Sequence, residues 1–306
     1  DVVAVSDYAG TADTNNITVA RNGSNINGAA ADLTVSNENS AITLVYVDGT
    51  QGWKATDTSN LSDIALQPTY VTATGGTETT SGDYRIHTFT GPGTFCVSCA
   101  GNAAGSTTTD YMVVAGGGSG GGEAPNGYGS GGGGAGGFRE SSGTASGSYS
   151  ASPLGACVSA LPVSVQGYPI VVGGGGAQIT APNRVIGNNG NNSTFSSIIS
   201  TGGGGGGSGD GALPGGSGGS GGGAFGGSAN IGTGNTPPVS PSQGNNGGRG
   251  FNNPYAAGGG GGAGAVGADG VTSPQAGGAG GAGVTTSISA SPTAYAGGGG
   301  GNVYRQ

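Results

Sequence analysis

Asp110-Tyr-Met-Val-Val-Ala-Gly-Gly-Gly-Ser-Gly-Gly-Gly122 runs a short apolar strand straight into glycine, and the reading of this stretch decides the fold. Twelve of the 77 glycines precede Asp110 and the rest follow it, a shift in composition that marks a boundary. In a linker such runs would stay loose, because glycine loses more backbone freedom on ordering than any other residue. Here apolar or small residues introduce each run. Tyr168-Pro-Ile-Val-Val172 leads into Gly173–Gly176, Phe195 to Thr201 leads into Gly202–Gly207, and a tyrosine with one or two alanines precedes the runs at 258 and 297. The strict Gly-X-Y period of collagen is missing. What remains is an internal repeat of run plus loop.

Runs without side chains can pack where ordinary strands cannot. In the extended left-handed form with three residues per turn, six to nine glycines span roughly 19–28 Å at about 3.1 Å each. N–H and C=O groups then point in every direction around the axis, so neighbours can surround a run on all sides. Ordering costs roughly 1–2 kcal/mol per residue, so one run alone cannot persist and many together can. The expected fold class is an all-β N-terminal region plus a glycine-rich domain of packed polyglycine II helices, with essentially no α-helix. Val113, Val114, Val171, Val172, Ile198 and Ile199 are expected to form a small core at one end, and the interior to admit nothing larger than alanine.

Ahead of the glycine, period-two signals dominate. Ile17 and Val19, Leu33 and Val35, and Ala41-Ile-Thr-Leu-Val-Tyr-Val47 read as strands, with Asn22-Gly23, Asn27-Gly28 and Asp48-Gly49 as tight turns. Thr58 to Leu66 is the one place where a helical turn is expected. Tyr84–Phe89 and Thr94–Cys99 read as a hairpin about Gly91-Pro92-Gly93. The expected domains are 1–72, an N-terminal β region for attachment or trimerisation, 73–110, a β-hairpin connector, and 111–306, the glycine-rich part.

The formal charge is −8, and the single lysine and six arginines are scattered, so a nucleic-acid surface is excluded. No apolar run approaches the roughly 20 residues that span a bilayer, so no membrane insertion is expected. His87 is the only histidine, and the only lysine sits in Trp53-Lys54-Ala55 rather than a phosphate-binding Gly-Lys-Ser/Thr. No enzyme, cofactor or metal is expected. Cys96-Val-Ser-Cys99 has a CxxC spacing, yet only Cys157 and His87 remain to complete a zinc site. Cys96, Cys99 and Cys157 therefore read as thiols or as one disulfide.

Three blocks carry a resemblance: Tyr111-Met-Val-Val-Ala-Gly-Gly-Gly118, Ser81-Gly-Asp-Tyr-Arg-Ile-His-Thr-Phe-Thr-Gly-Pro-Gly-Thr-Phe95, and Asn189-Gly-Asn-Asn-Ser-Thr-Phe-Ser-Ser-Ile-Ile-Ser-Thr201 before six glycines. They resemble the glycine-rich domain of bacteriophage tail fibre and tail-tip adhesin proteins and the β unit that introduces it. The resemblance implies a virion fibre outside the cell, joined to other virion fibre or tail proteins. It also implies a homotrimer, or a monomer capping a trimeric fibre, whose distal loops bind a host outer-membrane protein or surface glycan.

Aromatic and amide side chains between runs suit such receptors, offering a flat apolar face and a bidentate hydrogen-bonder. The candidates are Asn126, Tyr128, Phe225, Ile231, Phe251, Asn252 and Asn253. Two other classes compete: a structural extracellular filament or matrix protein, and an ice-binding protein or receptor ectodomain. An ice binder is expected to show Gly-X-X periodicity.

Overall fold

The computed structural model describes every residue except 59–63, 67, 124–128, 145, 148, 156, 181–183, 209–212, 227–229, 253–254 and 304–306. The chain is all-β with a glycine-rich domain, and no helix occurs among the described residues. It divides into two compact units. Residues 1–72, 98–108 and 163–165 form the first, and 73–97, 109–162 and 166–306 form the second.

In the first unit, Val2–Ser6, Ala41–Asp48 and Gly52–Thr58 make one antiparallel sheet, and Ile17–Val19, Leu33–Val35 and Ile64–Leu66 another. Strand alternation turns Ile42 and Leu44 inward, where they meet Ala12, Ile26, Leu33 and Val35. Each large apolar side chain buried there stabilises the unit by about 1.5–3 kcal/mol. Both Asn-Gly turns have positive φ at each position, as that dipeptide favours. The helical turn expected near 58–66 is corrected in its described part: Ile64–Leu66 is a strand, held in register with Leu33–Val35. Sheet pairing outweighs a weak local preference there. Thr58 closes the strand Gly52–Thr58, and residues 59–63 lie outside the described residues.

In the second unit the hairpin about Gly91-Pro92-Gly93 does not form. Tyr84–Thr88 pairs instead with Thr77–Ser81 across Gly82-Asp83, and residues 93–96 pair with 167–170. Gly82 takes φ +57°, which a two-residue hairpin turn requires. Thr77–Ser81 escaped notice because it is polar on both faces and shows no alternation. The paired strands continue through Ser193–Phe195 to Ile198–Ser200, and the rings of His87, Phe95, Tyr168 and Phe195 cluster edge to face. The six-residue apolar core forms only in part: Val113 and Ile198 are buried, whereas Val171 and Ile199 are exposed. Phe138, Ala263 and Val284 take that place, with Met112, Val114 and Leu154 packed against them.

From residue 115 onward the chain runs back and forth in extended glycine-rich legs. The leg 256–263 is buried throughout. Its N–H groups at 258 and 261 donate to Ala224 and Gly221, those at 259 and 262 to Ala268 and Ala265, and those at 260 and 263 to Gly299 and Ala296. Its carbonyls at 258 and 261 accept from Gly132 and Ala135, those at 259 and 262 from Gly248 and Asn245, and those at 257 and 260 from Gly278 and Gly281. Every third residue faces the same neighbour, and six legs surround this one. A pleated strand repeats every two residues and pairs on two sides.

The leg 202–207 follows the same rule. Gly203 and Gly206 donate to Gly116 and Ser119, and Gly204 and Gly207 donate to Ser220 and Gly223. Gly202 and Gly205 donate to the side-chain oxygens of Asn192 and Asn189. Close approach explains the glycine. A Cβ at Gly260 would lie 2.0 Å from the Gly133 carbonyl oxygen, and one at Gly205 would lie 1.8 Å from that of Gly187.

Where a leg meets solvent, side chains return on the outward positions. In Gly264-Ala-Val-Gly-Ala-Asp-Gly270, Val266 and Asp269 are exposed while Gly267 and Gly270 are buried. In Gly187-Asn-Asn-Gly-Asn-Asn-Ser193, the residues between Gly187, Gly190 and Ser193 are exposed. The interior holds fully buried Ala224 and Ala257, and also Ser208 and Ser220, so a hydroxyl fits where only alanine was expected. Ser208 meets its polar cost by donating to the Gly122 carbonyl at 2.9 Å.

Candidate functional site

The hydrogen-bond registers fix two ends for the legs of the second unit. At one lie the strands Met112–Val114, Phe138–Glu140, Ser193–Phe195, Ile198–Ser200, Val284–Thr286 and Thr293–Tyr295. At the other, Gly122 donates to Val185, Gly131 to Gly207, Gly207 to Gly223, Gly258 to Ala224 and Gly270 to Arg249. The described receptor-contact candidates, Phe225, Ile231, Phe251 and Asn252, fall on or beside connections at this second end.

Two short hairpins stand there, Phe251–Asn252 with Tyr255–Ala256 and Val271–Thr272 with Gln275–Ala276. Gln275 Nε2 donates to the Tyr255 carbonyl at 2.8 Å and ties them together. Phe225 is buried to 1% exposure, and its ring stacks on Tyr255 with centroids 5.9 Å apart and planes at 9°. It therefore supports the end from below and offers no face to a partner. Ile231 is half-buried, and Asn252 is exposed with its Oδ1 over Gly226, which takes φ +55°. Phe251 is 38% exposed. Asn126, Tyr128 and Asn253 lie outside the described residues.

Val185, Ile186 and Val271 also expose apolar surface at this end and were missed in the sequence. The signal was Arg184-Val-Ile186, an apolar pair followed not by an unbroken glycine run but by Gly187 and Gly190 spaced among asparagines. Beside the hairpins' end of the legs, a cleft of about 510 Å³ is lined by Ser119, Glu123, Ser130, Gln178, Ile179 and Thr180. Asn302 Nδ2 donates to Glu123 Oε1 at 3.2 Å.

Cys96, Cys99 and Cys157 are free thiols. His87 faces the Gly75 carbonyl at 2.9 Å and Glu78 at 3.9 Å, a local strand contact. Asp110 accepts from Ser141 Oγ at 2.7 Å and from Ser146 Oγ at 2.8 Å, and the Tyr149 hydroxyl donates to the Ser141 carbonyl at 3.1 Å. Burial, with Asp110 and Glu140 nearby, pushes the Tyr149 phenol well above its ordinary range although the Ser141 bond opposes the shift. Among the described residues no group of His, Cys, Asp and Glu could hold a metal ion, and no helix is long and apolar enough to cross a membrane.

A bundle of extended legs with side-chain-bearing connections at one end defines a glycine-rich scaffold. Residues 90–306 match the family described as "Glycine-rich domain", and the chain belongs to that family. No curated protein and no solved structure matches the chain.

Proposed function

We propose that the legs are polyglycine II helices and that the protein is a bacteriophage tail fibre or tail-tip adhesin, which attaches the virion to the host cell surface. The single observation that carries the reading is the separation of the two ends. Strands and apolar cores anchor the legs at one, while side-chain-rich connections gather at the other. Main-chain packing leaves the connections free to vary without disturbing the scaffold, which suits recognition by loops. The receptor is a host outer-membrane protein or a surface glycan. The exposed Phe251 and Asn252 are the contact residues, with Tyr255 and Phe225 as their support. Binding is reversible and gains strength from several copies on one particle.

The test is adsorption of particles carrying Phe251→Ala with Asn252→Ala. Adsorption is expected to fall at least about tenfold, a loss of roughly 1.4 kcal/mol of binding, with the protein still incorporated. Unchanged adsorption would remove these contacts, and absence of the chain from purified virions would remove the assignment.

A further inference from the structure

We infer that the glycine-rich unit carries a docking channel for a second copy of this chain, formed by a half-built layer of legs. In the packing described above an enclosed leg has six neighbours. Among the described residues the leg 116–121 has four, namely 131–137, 187–192, 202–207 and 173–176, and the leg 131–137 has five. The missing neighbours lie on one face. Legs 296–302 and 277–283 rest on 131–137, 256–263 and 265–270, and the adjoining places over 131–137, 116–121 and 173–176 hold no leg among the described residues.

Two independent features mark those places as a contact rather than plain surface. Gly133 and Gly136 are buried on the channel floor, and their N–H groups find no acceptor among the described residues. Buried main-chain donors are rarely left so. The walls, in addition, are glycine without an internal reason. A Cβ at Gly120 would meet nothing nearer than 3.7 Å, and at Gly297 or Gly300 nothing nearer than 3.8 Å, all at φ outside the left-handed region. Each such glycine loses more backbone freedom on ordering than alanine would. Outward positions on other edges carry Val266, Asp269 or asparagine instead.

The occupant must be an extended segment offering carbonyls every third residue with little side chain. Leg 296–302 is such a segment. Among the described residues its carbonyls at 297, 298, 300 and 301 have no main-chain partner, and its N–H groups at 297 and 300 have none either. Two copies related by a two-fold axis therefore fit step to step. Legs 296–302 and 277–283 of each fill the two empty places of the other, and together they complete one shared layer. This isologous closure leaves no place for a third copy and departs from the trimer that the fibre resemblance implies. It does not rest on the adhesin reading.

Sedimentation velocity on the full chain tests it. The wild type is expected as a dimer at micromolar concentration, and Gly120→Leu and Gly300→Leu are expected to weaken it at least about tenfold with thermal stability retained. Amide exchange at Gly133 and Gly136 is expected to slow as wild-type concentration rises through the transition, a readout that needs no variant. A wild-type monomer or trimer, a dimer that both folded variants keep, or exchange at these amides independent of concentration would each overturn the inference.

Discussion

Gly260→Ala places a methyl carbon where the Gly133 oxygen is 2.0 Å away and the Gly133 carbon 2.4 Å away. Ordinary contact begins about 1.4 Å farther out, so one leg must move. Neither can move freely, since Gly260 donates to Gly299 and accepts from Gly281, while Gly133 accepts from Gly299. Loss of two such bonds costs about 1 kcal/mol each, and overpacking adds about 1–3 kcal/mol. The lower entropy of the unfolded alanine chain returns only about 0.4–1 kcal/mol. The net destabilisation is about 2–4.5 kcal/mol, a fall in Tm of roughly 4–18 °C for a unit of this size. Gly91→Ala is the control, because nothing lies within 4 Å of its added Cβ and its φ is not left-handed. Differential scanning calorimetry reads both. A Gly260→Ala transition within a degree of the wild type, or an equal fall in Gly91→Ala, would refute the reasoning that contact distance makes these glycines obligatory.

Three further outcomes follow from the packing. Gln243 is fully buried, its Oε1 accepting the Thr201 N–H at 2.8 Å and its Nε2 donating to Pro237 at 3.2 Å. Gln243→Ala strands the Thr201 donor and is expected to cost about 1–3 kcal/mol in denaturant unfolding. Leu33→Ala, in the core of the first unit, is expected to cost about 2–5 kcal/mol, read by loss of Trp53 fluorescence at lower denaturant. Burial works to raise the Asp7 carboxyl pKa, but backbone N–H groups of Ala12, Asn39, Thr11 and Gly10 prevail and hold it below 3.8. A carboxyl depressed on folding stabilises above its unfolded pKa and loses that contribution as pH falls through the folded value. The first unit is therefore expected to weaken on acidification below about pH 4, and Asp7→Asn to weaken less steeply over the same range.

The onset of the glycine-rich legs was legible because composition changes at Asp110 and because glycine leaves few other ways to pack. The Asn-Gly turns and the strands holding Leu33 and Leu44 were legible for the opposite reason, a clear alternation beside residues that favour positive φ. Thr77–Ser81 was not, since a strand polar on both faces looks like a connector until its partner is known. Equally hidden was which side of each leg faces inward. Gly267 and Gly297 read alike, yet one lies buried and the other exposed. For the candidate end, spacing placed Phe225 and Phe251 in loops, but only the stack of Phe225 on Tyr255 separates a supporting ring from an exposed one.

Amide hydrogen exchange along two edge legs is the most direct test of three-fold main-chain packing. On 187–192, Gly187, Asn188, Gly190 and Asn191 donate hydrogen bonds while Asn189 and Asn192 find no acceptor among the described residues; on 265–270, Val266 and Asp269 are the open pair. The account predicts fast exchange at those four positions, three residues apart within each leg, and protection at the bonded amides. Fast exchange at every second residue, as on the edge of a pleated sheet, or uniformly fast exchange across both legs, would contradict it.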